Sequence, residues 1–343
     1  MANTDSNLTK VLLFSGAGLS CPLGLPMTNE FKDVIDSGDT GLMHILKSHL
    51  GSNFYDIEAI LNSIEELNST DNLIYKYISA NIGNSSFTTV KQGLDALRNK
   101  SLSYESNLKK SIHSKLATHD ISKCEQLYFN ILKEIRTTIP NSAISFFTSN
   151  YDLTFENSIG DSDSLQRKLQ ITTIDYGFTQ RGSSTFEASK EYTWLSDVLE
   201  FKKIHGSLDW LTDIKGRTTK SHAANTPDNP DSVPILYPGF KGTPQKEPFL
   251  SLHRQFLKRM IDAHFAVFMG FAFRDPYINS LIDMALDLNK ELNILCYNLS
   301  NINDLPIESH IHKLNKSPKR FKYIQEEIAI TDNPLKIAGK LKK

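Results

Sequence analysis

Cysteine is scarce in this chain of 343 residues, which contains only Cys21, Cys124 and Cys296. Three widely spaced thiols exclude the disulfide framework of a small secreted domain. They also leave one thiol too few for a four-cysteine zinc site. Since no C-x-x-C pair occurs either, we expect a protein of the reducing cytoplasm.

Long apolar runs are missing too. No stretch approaches the ~20 apolar residues that a membrane helix needs. The first residues have neither the basic start nor the apolar stretch of a secretory signal. We therefore expect a soluble intracellular protein that does not associate with membranes.

The chain also lacks a large net charge, with 38 Lys and Arg against 39 Asp and Glu. The balance is uneven, because residues 313–343 carry nine basic and three acidic side chains. Basic segments of this kind are mostly solvated helix faces, although they also suit an acidic partner or an anionic surface. The rest of the chain has no basic stripe, which argues against direct binding of nucleic acid.

Hydrophobic patterning predicts an α/β protein. The apolar run Lys10–Phe14 leads directly into the glycine-rich Ser15–Ser20, as at the start of a nucleotide-binding unit. Strands and helices that alternate predict a Rossmann-like parallel sheet with helices on both faces. The predicted domains are a core (1–35 and 140–312), a helical insertion (36–139) and the basic C-terminal segment (313–343). Further core strands are predicted at 143–147, 201–204, 264–270 and 293–297.

Polar clusters follow four of the predicted strands. Because ligands of an open parallel sheet bind at the carboxyl edge of its strands, we expect these clusters to form one site. Arg274 and Asp275 could instead form a simple ion pair at the start of a predicted helix, which is the interpretation that local patterns favour. The four clusters are residues 15–20, 148–152, 205–207 and 271–276.

Each cluster taken alone permits two interpretations. The Gly16–Gly18 turn suits the close approach of a phosphate, but Cys21 stands where the dinucleotide fingerprint has its third glycine, so a plain tight turn fits as well. His205 is either a general base, a role that suits histidine because its unperturbed side chain titrates near ~6.5, or a structural histidine. Asn150 and Asp152 either contact a ligand or form an Asx-turn and a helix cap.

Taken together, the clusters resemble the motifs of the sirtuin superfamily. Residues 16–26 contain Gly-Ala-Gly-Leu-Ser and Gly-Leu-Pro, which are similar to that family's G-A-G-x-S and G-I-P. Thr148–Asp152 is similar to its T-Q-N-x-D, and His205 with the following glycine to its catalytic H-G. Gly270–Phe273 falls where the family has G-x-S-F, and Asn298 resembles its adenosine-ribose asparagine. The motifs occur in family order over most of the chain.

Two departures separate this chain from deacetylase sirtuins. Deacetylase sirtuins carry a structural zinc on two C-x-x-C pairs, whereas this chain has no cysteine between Cys124 and Cys296. The arginine that follows their G-I-P motif is also absent after Pro26. Lys203–Trp210 and Gly270–Asp275 instead resemble the zinc-less branch that hydrolyses NAD in bacterial anti-phage defence. The resemblance thus implies NAD as substrate, no zinc or other metal, and action by abortive infection.

The same resemblance implies roles for individual residues. Asn150 would contact the ribose and position water, His205 would act as base, and Asp152 would bind the nicotinamide amide. Control in that branch comes from oligomer assembly or from a partner such as a HerA-type ATPase or an Argonaute-like subunit. The residues expected to contact NAD are Gly16, Ala17, Gly18, Ser20, Pro26, Ser149, Gly270, Phe271 and Asn298.

Two other function classes stay open at this point. One is an NAD-dependent protein deacylase or ADP-ribosyltransferase, which would give O-acetyl-ADP-ribose or a labelled protein. The other is a non-catalytic module that senses NAD or ADP-ribose and signals through assembly.

Overall fold

The structure is a computed structural model. It describes residues 8–38, 40–69, 73–83, 85–117, 119–159, 168–179, 184–188, 193–221, 233–236, 244, 246–306, 308–337 and 340. The chain divides into two compact units, the first comprising 1–25, 116–236 and 240–343, and the second 26–115 and 237–239. The helix at the predicted insertion boundary, near residue 139, belongs to the first unit.

The first unit is built on a seven-stranded parallel sheet, which confirms the predicted fold class. Its strand order is β3-β4-β2-β1-β7-β8-β9, so the chain leaves the central β1 in both directions along the sheet. A two-stranded antiparallel hairpin, β5-β6, stands beside it. The strands are β1 (Thr9–Ser15), β2 (Ser142–Thr148), β3 (Thr173–Asp175), β4 (Val198–Lys203), β5 (Trp210–Thr212), β6 (Thr218–Lys220), β7 (Phe265–Met269), β8 (Asn293–Asn298) and β9 (Phe321–Gln325).

Helices cover both faces of this sheet. Val11 and Leu13 of β1 join one hydrophobic cluster, whereas Leu12 and Phe14 join the other, because successive side chains of a strand point to opposite faces. This two-sided burial explains why β1 is a continuous apolar run and not an alternating pattern. The helices of the first unit are α6 (Ile121–Thr138), α7 (Thr154–Ile159), α8 (Phe249–Asp262), α9 (Pro276–Leu288) and α10 (His310–Asn315).

Helix α6 packs on the sheet, although its helical spacing alone suggested part of the insertion. Asp120 caps its N-terminus by accepting a hydrogen bond from the Lys123 backbone. Leu127, Ile131 and Ile135, spaced at helical intervals, are buried in the same cluster as Val11. The apolar face of α6 is therefore part of the core of the first unit.

The interpretation of residues 313–343 as a solvated helix face is corrected by the structure. Phe321–Gln325 forms the edge strand β9, parallel to β8. Further along, Leu335 and Ile337 are fully buried, and their backbone N–H groups donate to the Glu134 carboxylate on α6. This segment therefore contributes a strand and buried apolar side chains to the core, although its many basic residues suggested an exposed helix.

The second unit is helical over its described residues. Asp56 caps α3 through the backbone N–H groups of Glu58 and Ala59, and the hydroxyl of Tyr104 donates to the Ile35 carbonyl over 2.6 Å. No helix in the described part of either unit is long and apolar enough to cross a membrane. The helices of this unit are α1 (Lys32–Ile35), α2 (Thr40–Leu50), α3 (Ile57–Asn68), α4 (Leu73–Ala80) and α5 (Ser85–Ala117), the last of which reaches the first unit at residues 116–117.

Candidate functional site

The predicted polar clusters lie at the carboxyl edge of the sheet. Residues 15–20 follow β1, 149–152 follow β2, 205–207 follow β4 and 270–275 follow β7. Strands β2 and β7 flank β1 on its two sides, so this is the point at which the chain direction along the sheet reverses. Crevices at such a reversal are the usual ligand sites of open parallel sheets.

The loops after β1 and β7 touch each other through glycines. The N–H of Gly16 donates to the Met269 carbonyl, and the N–H of Gly18 to the Gly270 carbonyl, both over 3.0 Å. Gly270 has φ 59°, and a Cβ added to it would lie 2.5 Å from the carbonyl carbon of Gly18. The backbone N–H groups of Gly16 and Gly18 therefore bind the first loop to the end of β7 and the loop after it. Gly270 permits this close approach because it has no Cβ.

A buried chain of hydrogen bonds links the loops after β1 and β2. The Asn150 side-chain amide donates to the Gly16 carbonyl (3.1 Å) and to the Ser20 hydroxyl (3.0 Å). Ser20 in turn donates to Asp152 Oδ2 over 2.8 Å. The backbone N–H of Ser149 adds a bond to the Ser15 carbonyl. The structure thus brings together five of the residues that the sequence singled out.

The Asp152 carboxylate is occupied by neighbouring side chains and backbone. Its Oδ1 accepts from the backbone N–H and the hydroxyl of Thr154, at the start of α7. The Tyr128 hydroxyl lies 2.8 Å from the same Thr154 hydroxyl. Through Oδ1, Asp152 forms the Asx-turn that the sequence left open as one alternative. Its Oδ2 accepts the bond from Ser20. A role for Asp152 toward the nicotinamide amide stays a prediction.

His205 is the buried imidazole of the site, with 1% exposure. Gly206 follows it with φ 101°, and the Leu236 backbone N–H donates to the His205 carbonyl over 2.8 Å. His205 Nε2 lies 3.1 Å from Asp275 Oδ2. The N–H direction is not aligned for a full hydrogen bond, and Nδ1 has no hydrogen-bond partner among the described residues.

Asp275 belongs to the site as well as to a helix cap. Its Oδ1 accepts from the backbone N–H groups of Tyr277 and Ile278 at the start of α9. Burial works to raise the pKa of Asp275, but the contact with His205 and the hydrogen bond from the Ile278 backbone N–H act against it, and that pKa lies below its ordinary value. The sequence placed Asp275 in the polar cluster 271–276 but left open an ion pair at a helix start, because an Asp-Pro pair before an apolar helix is an ordinary N-terminal signal.

A second buried imidazole, His253 of α8, was not anticipated from the sequence. Its ring lies 5.9 Å from that of His205 and nearly parallel to it, and 5.3 Å from the Tyr277 ring. Burial is the largest cause that lowers the pKa of His253, to about 4. His253 is therefore neutral at cellular pH.

The other predicted contacts are distributed as follows. Asn298 donates from its side-chain amide to the Phe271 carbonyl over 2.9 Å, which ties the end of β8 to the loop after β7. Phe271 is buried against Phe14, with ring centroids 4.8 Å apart. Ala17 lies in the short helical turn after β1. Pro26 belongs to the second unit.

Metal ligands are not clustered here. Among the described residues there is no group of three or more His, Cys, Asp or Glu side chains that could hold a metal ion. Cys124 and Cys296 are buried in the core, and burial raises the pKa of Cys124 to about 12. The described residues thus offer hydrogen-bonding and acid–base groups.

The chain was compared with known proteins, and similarities were found to solved structures and to one family model. No curated protein matches it. Among solved structures, a mutant Sir2 homologue with 2′-O-acetyl ADP-ribose has 12% identity and a TM-score of 0.46, over 96% of this chain and 92% of the other. A Sir2 homologue–NAD complex has 11% identity and a TM-score of 0.45, over 96% and 90%. A mutant Sir2 homologue with ADP-ribose has 12% identity and a TM-score of 0.45, over 97% and 94%. A family model described as SIR2-like domain matches residues 144–297, the stretch that contains Asn150, His205 and Asp275.

Proposed function

We propose that this protein is an NAD glycohydrolase that cleaves the nicotinamide–ribose bond to give ADP-ribose and nicotinamide. The observation that carries the proposal is the buried His205 at the carboxyl edge of the sheet. Its Nδ1 has no hydrogen-bond partner in the part of the chain that the structure describes, and a carboxylate lies 3.1 Å from its Nε2. The match of residues 144–297 to the SIR2-like domain supports the choice of NAD.

The chemistry needs few groups. The bond between nicotinamide and C1 of the ribose breaks with its electron pair leaving on nicotinamide, and water adds to the resulting oxocarbenium-like carbon. One proton is released from that water, and His205 accepts it or first takes one from a ribose hydroxyl. The Asn150 amide contributes fixed dipoles for the ribose and water without adding charge. No redox or metal step is required by this balance.

Binding of the remainder of NAD is proposed at the adjoining loops. The turn formed by Gly16, Ala17, Gly18 and Ser20 would lie against the pyrophosphate, with Ser149 nearby. A contact of Pro26 with NAD stays a prediction. Because the Gly16 and Gly18 amides donate to Met269 and Gly270 and the Ser20 hydroxyl donates to Asp152, the turn would act through its shape. Gly270, Phe271 and Asn298 would line the adenosine side.

The biological role proposed is that of a zinc-less, cytoplasmic anti-phage effector that causes abortive infection by NAD loss. Since unrestrained loss of NAD would kill the host, activity must be held in check. We propose control by homo-oligomer assembly or by a partner protein such as a HerA-type ATPase or an Argonaute-like subunit.

The test is nicotinamide release from NAD by the purified chain, alone and with the products of neighbouring genes. Asn150→Ala and His205→Gln are each expected to lower the rate at least about 100-fold, the usual size of an acid–base or oriented-dipole contribution. Asn157→Ala is the matched control, because its side-chain amide contacts His119, and neither residue belongs to the four clusters.

Three results would contradict the proposal. Wild-type rates in Asn150→Ala and His205→Gln would show that the site is misplaced. O-acetyl-ADP-ribose or ADP-ribosylated protein as the product would favour the transferase class. NAD binding without nicotinamide release, even with partners present, would favour the sensing module.

A further inference from the structure

We propose that Asp275 is a positioning residue that fixes the tautomer of His205, with the proton on Nε2 and with Nδ1 as the atom that accepts a proton in the reaction. The inference rests on the proposed function and adds to it a residue and an atom. It follows from three features of the geometry around these two side chains.

The first feature is that the two carboxylate oxygens of Asp275 have different partners. Oδ1 of Asp275 accepts from two backbone N–H groups at 2.8 and 3.0 Å, which locks the side chain to the rigid start of α9. Oδ2 is thereby directed at His205, with 3.1 Å between it and Nε2. Both side chains are almost fully buried, at 1% and 9% exposure, so this contact is little screened by water.

The second feature is the ionisation of Asp275. Its pKa lies below the ordinary value despite burial, so the carboxylate is charged at neutral pH and can only accept hydrogen bonds. An unprotonated Nε2 facing it would place two lone pairs against each other. The proton of a neutral His205 therefore lies on Nε2, and the lone pair lies on Nδ1, which has no partner among the described residues.

The third feature is the character of the other groups around His205. His253 Nδ1 lies 2.8 Å from the Phe249 carbonyl, an acceptor, so this nitrogen carries the proton of a neutral ring. With its pKa lowered to about 4, His253 adds no positive charge beside His205. Asp275 is thus the carboxylate in contact with the imidazole of His205, and the Tyr277 ring lies 5.3 Å from that of His253. The imperfect alignment between His205 and Asp275 is common for catalytic pairs before a substrate is bound.

The decisive variant is Asp275→Asn. Asparagine caps helices as well as aspartate does, so the fold and the start of α9 should be retained, while the charge is lost and an amide N–H faces Nε2. We expect kcat for nicotinamide release to fall at least about 100-fold with little change in KM, since the tautomer would be reversed. Asp56→Asn is the matched control, because Asp56 caps α3 through two backbone N–H groups in the same way.

A double variant separates positioning from a merely structural role. If Asp275 acts through His205, then Asp275→Asn combined with His205→Gln should be no slower than His205→Gln alone. If the two losses multiply instead, Asp275 acts independently and the inference is overturned. A wild-type kcat in Asp275→Asn overturns it as well.

A spectroscopic readout tests the inference without any activity. Nitrogen NMR of ¹⁵N-histidine-labelled protein, with the His205 signals identified by their loss in His205→Gln, reports which ring nitrogen carries the proton. The spectra are recorded over a range of pH that includes the neutral ring, for which we expect the proton on Nε2 in the wild type and on Nδ1 in Asp275→Asn. A neutral wild-type ring with the proton on Nδ1 contradicts the inference. An inactive wild type that keeps the Nε2 proton would instead contradict only the proposed function.

Discussion

At the ends of β1 and β7, two loops approach each other so closely that a methyl group does not fit between them. A Cβ on Gly16 would lie 2.8 Å from the Gly270 carbonyl oxygen, and one on Gly18 would lie 2.8 Å from the Gly270 Cα. Glycine at these positions is therefore explained by backbone packing alone. The sequence pattern suggested phosphate approach, which needs the same residue for a similar steric reason.

Gly270→Ala is predicted to destabilise the protein by roughly 3 kcal/mol or more, because the new methyl combines a left-handed φ with a backbone clash. Gly24→Ala isolates the first effect, since Gly24 has φ 85° but nothing within 4 Å of an added Cβ. Its expected cost is about 1 to 2 kcal/mol. Urea unfolding of both variants measures the difference, and equal costs would refute the packing explanation.

His253 predicts a specific loss of stability in acid. Its pKa of about 4 in the folded protein lies below the ordinary 6.5, so the unfolded chain binds a proton there first as pH falls. The contribution of His253 is fully present above pH 6.5 and declines toward pH 4. At pH 4.5 the protonation of His253 in the unfolded chain has lowered the free energy of unfolding by about 2 to 3 kcal/mol relative to neutral pH.

The measurement for His253 is the free energy of unfolding of wild type and His253→Leu between pH 8 and 4.5. Above pH 6.5 the two curves should run parallel, whatever their offset. Below it, the wild type should lose about 2 to 3 kcal/mol more than the variant. Parallel curves over the whole range would rule out this role of the buried imidazole.

At the scale of elements, β4 shows how a central strand can carry charges. Glu200 of β4 accepts from the Ser145 hydroxyl of β2 (2.6 Å) and from Nε of Arg259 on α8 (2.7 Å). The Arg259 guanidinium also lies over the Trp194 ring, 4.5 Å from its centroid. On the same strand, Lys202 pairs with Asp175 of β3 at 3.2 Å. These buried pairs join neighbouring elements and weaken the hydrophobic signal of the strand.

Breaking the Glu200–Arg259 pair from either side is predicted to cost about 3 to 5 kcal/mol, because it leaves a buried charge without its partner. Glu200→Gln keeps an acceptor for Ser145, and Arg259→Met keeps most of the side-chain volume. The double variant should be less destabilised than the sum of the two. Chemical denaturation of all three variants gives this coupling, and strict additivity would mean that the pair is not an energetic unit.

The sequence predicted the strands in the middle of the sheet better than those at its edges. The apolar runs at 143–147, 264–270 and 293–297 overlap β2, β7 and β8, because strands buried on both faces are continuously hydrophobic. The edge strands β3 and β9 were not predicted. Their burial is partial, with Lys322 exposed in the middle of β9, so no apolar run marks them.

At the scale of the whole first unit, the C-terminal segment closes the core. Glu134, at 5% exposure on α6, accepts from the backbone N–H groups of Leu335 (2.8 Å) and Ile337 (2.5 Å). Asn130, one turn earlier on α6, donates to the Thr331 carbonyl over 2.7 Å. Polar side chains of α6 therefore bind the backbone of the C-terminal segment through hydrogen bonds.

Glu134→Gln is predicted to destabilise the protein by about 1 to 3 kcal/mol, since an amide offers one acceptor to two N–H groups and no charge. The segment around 331–337 should also be cut faster in limited proteolysis. Glu125→Gln on the same helix is the control, because its 3.6 Å pair with Lys168 is exposed and worth less than about 1 kcal/mol. Equal effects of the two variants would contradict the role of Glu134.

The sequence by itself determined the class of fold and the edge at which the polar clusters meet. Both follow from local features, namely apolar runs, helical spacing and the residues directly after each strand. Only the tertiary structure decided what each polar side chain contacts. Asp152 faces Ser20 and Thr154, His205 faces Asp275 and His253, and Glu134 faces the returning C-terminal segment. These contacts join residues far apart in the chain, and local patterns carry no information about such pairs, because strand order and helix packing bring them together.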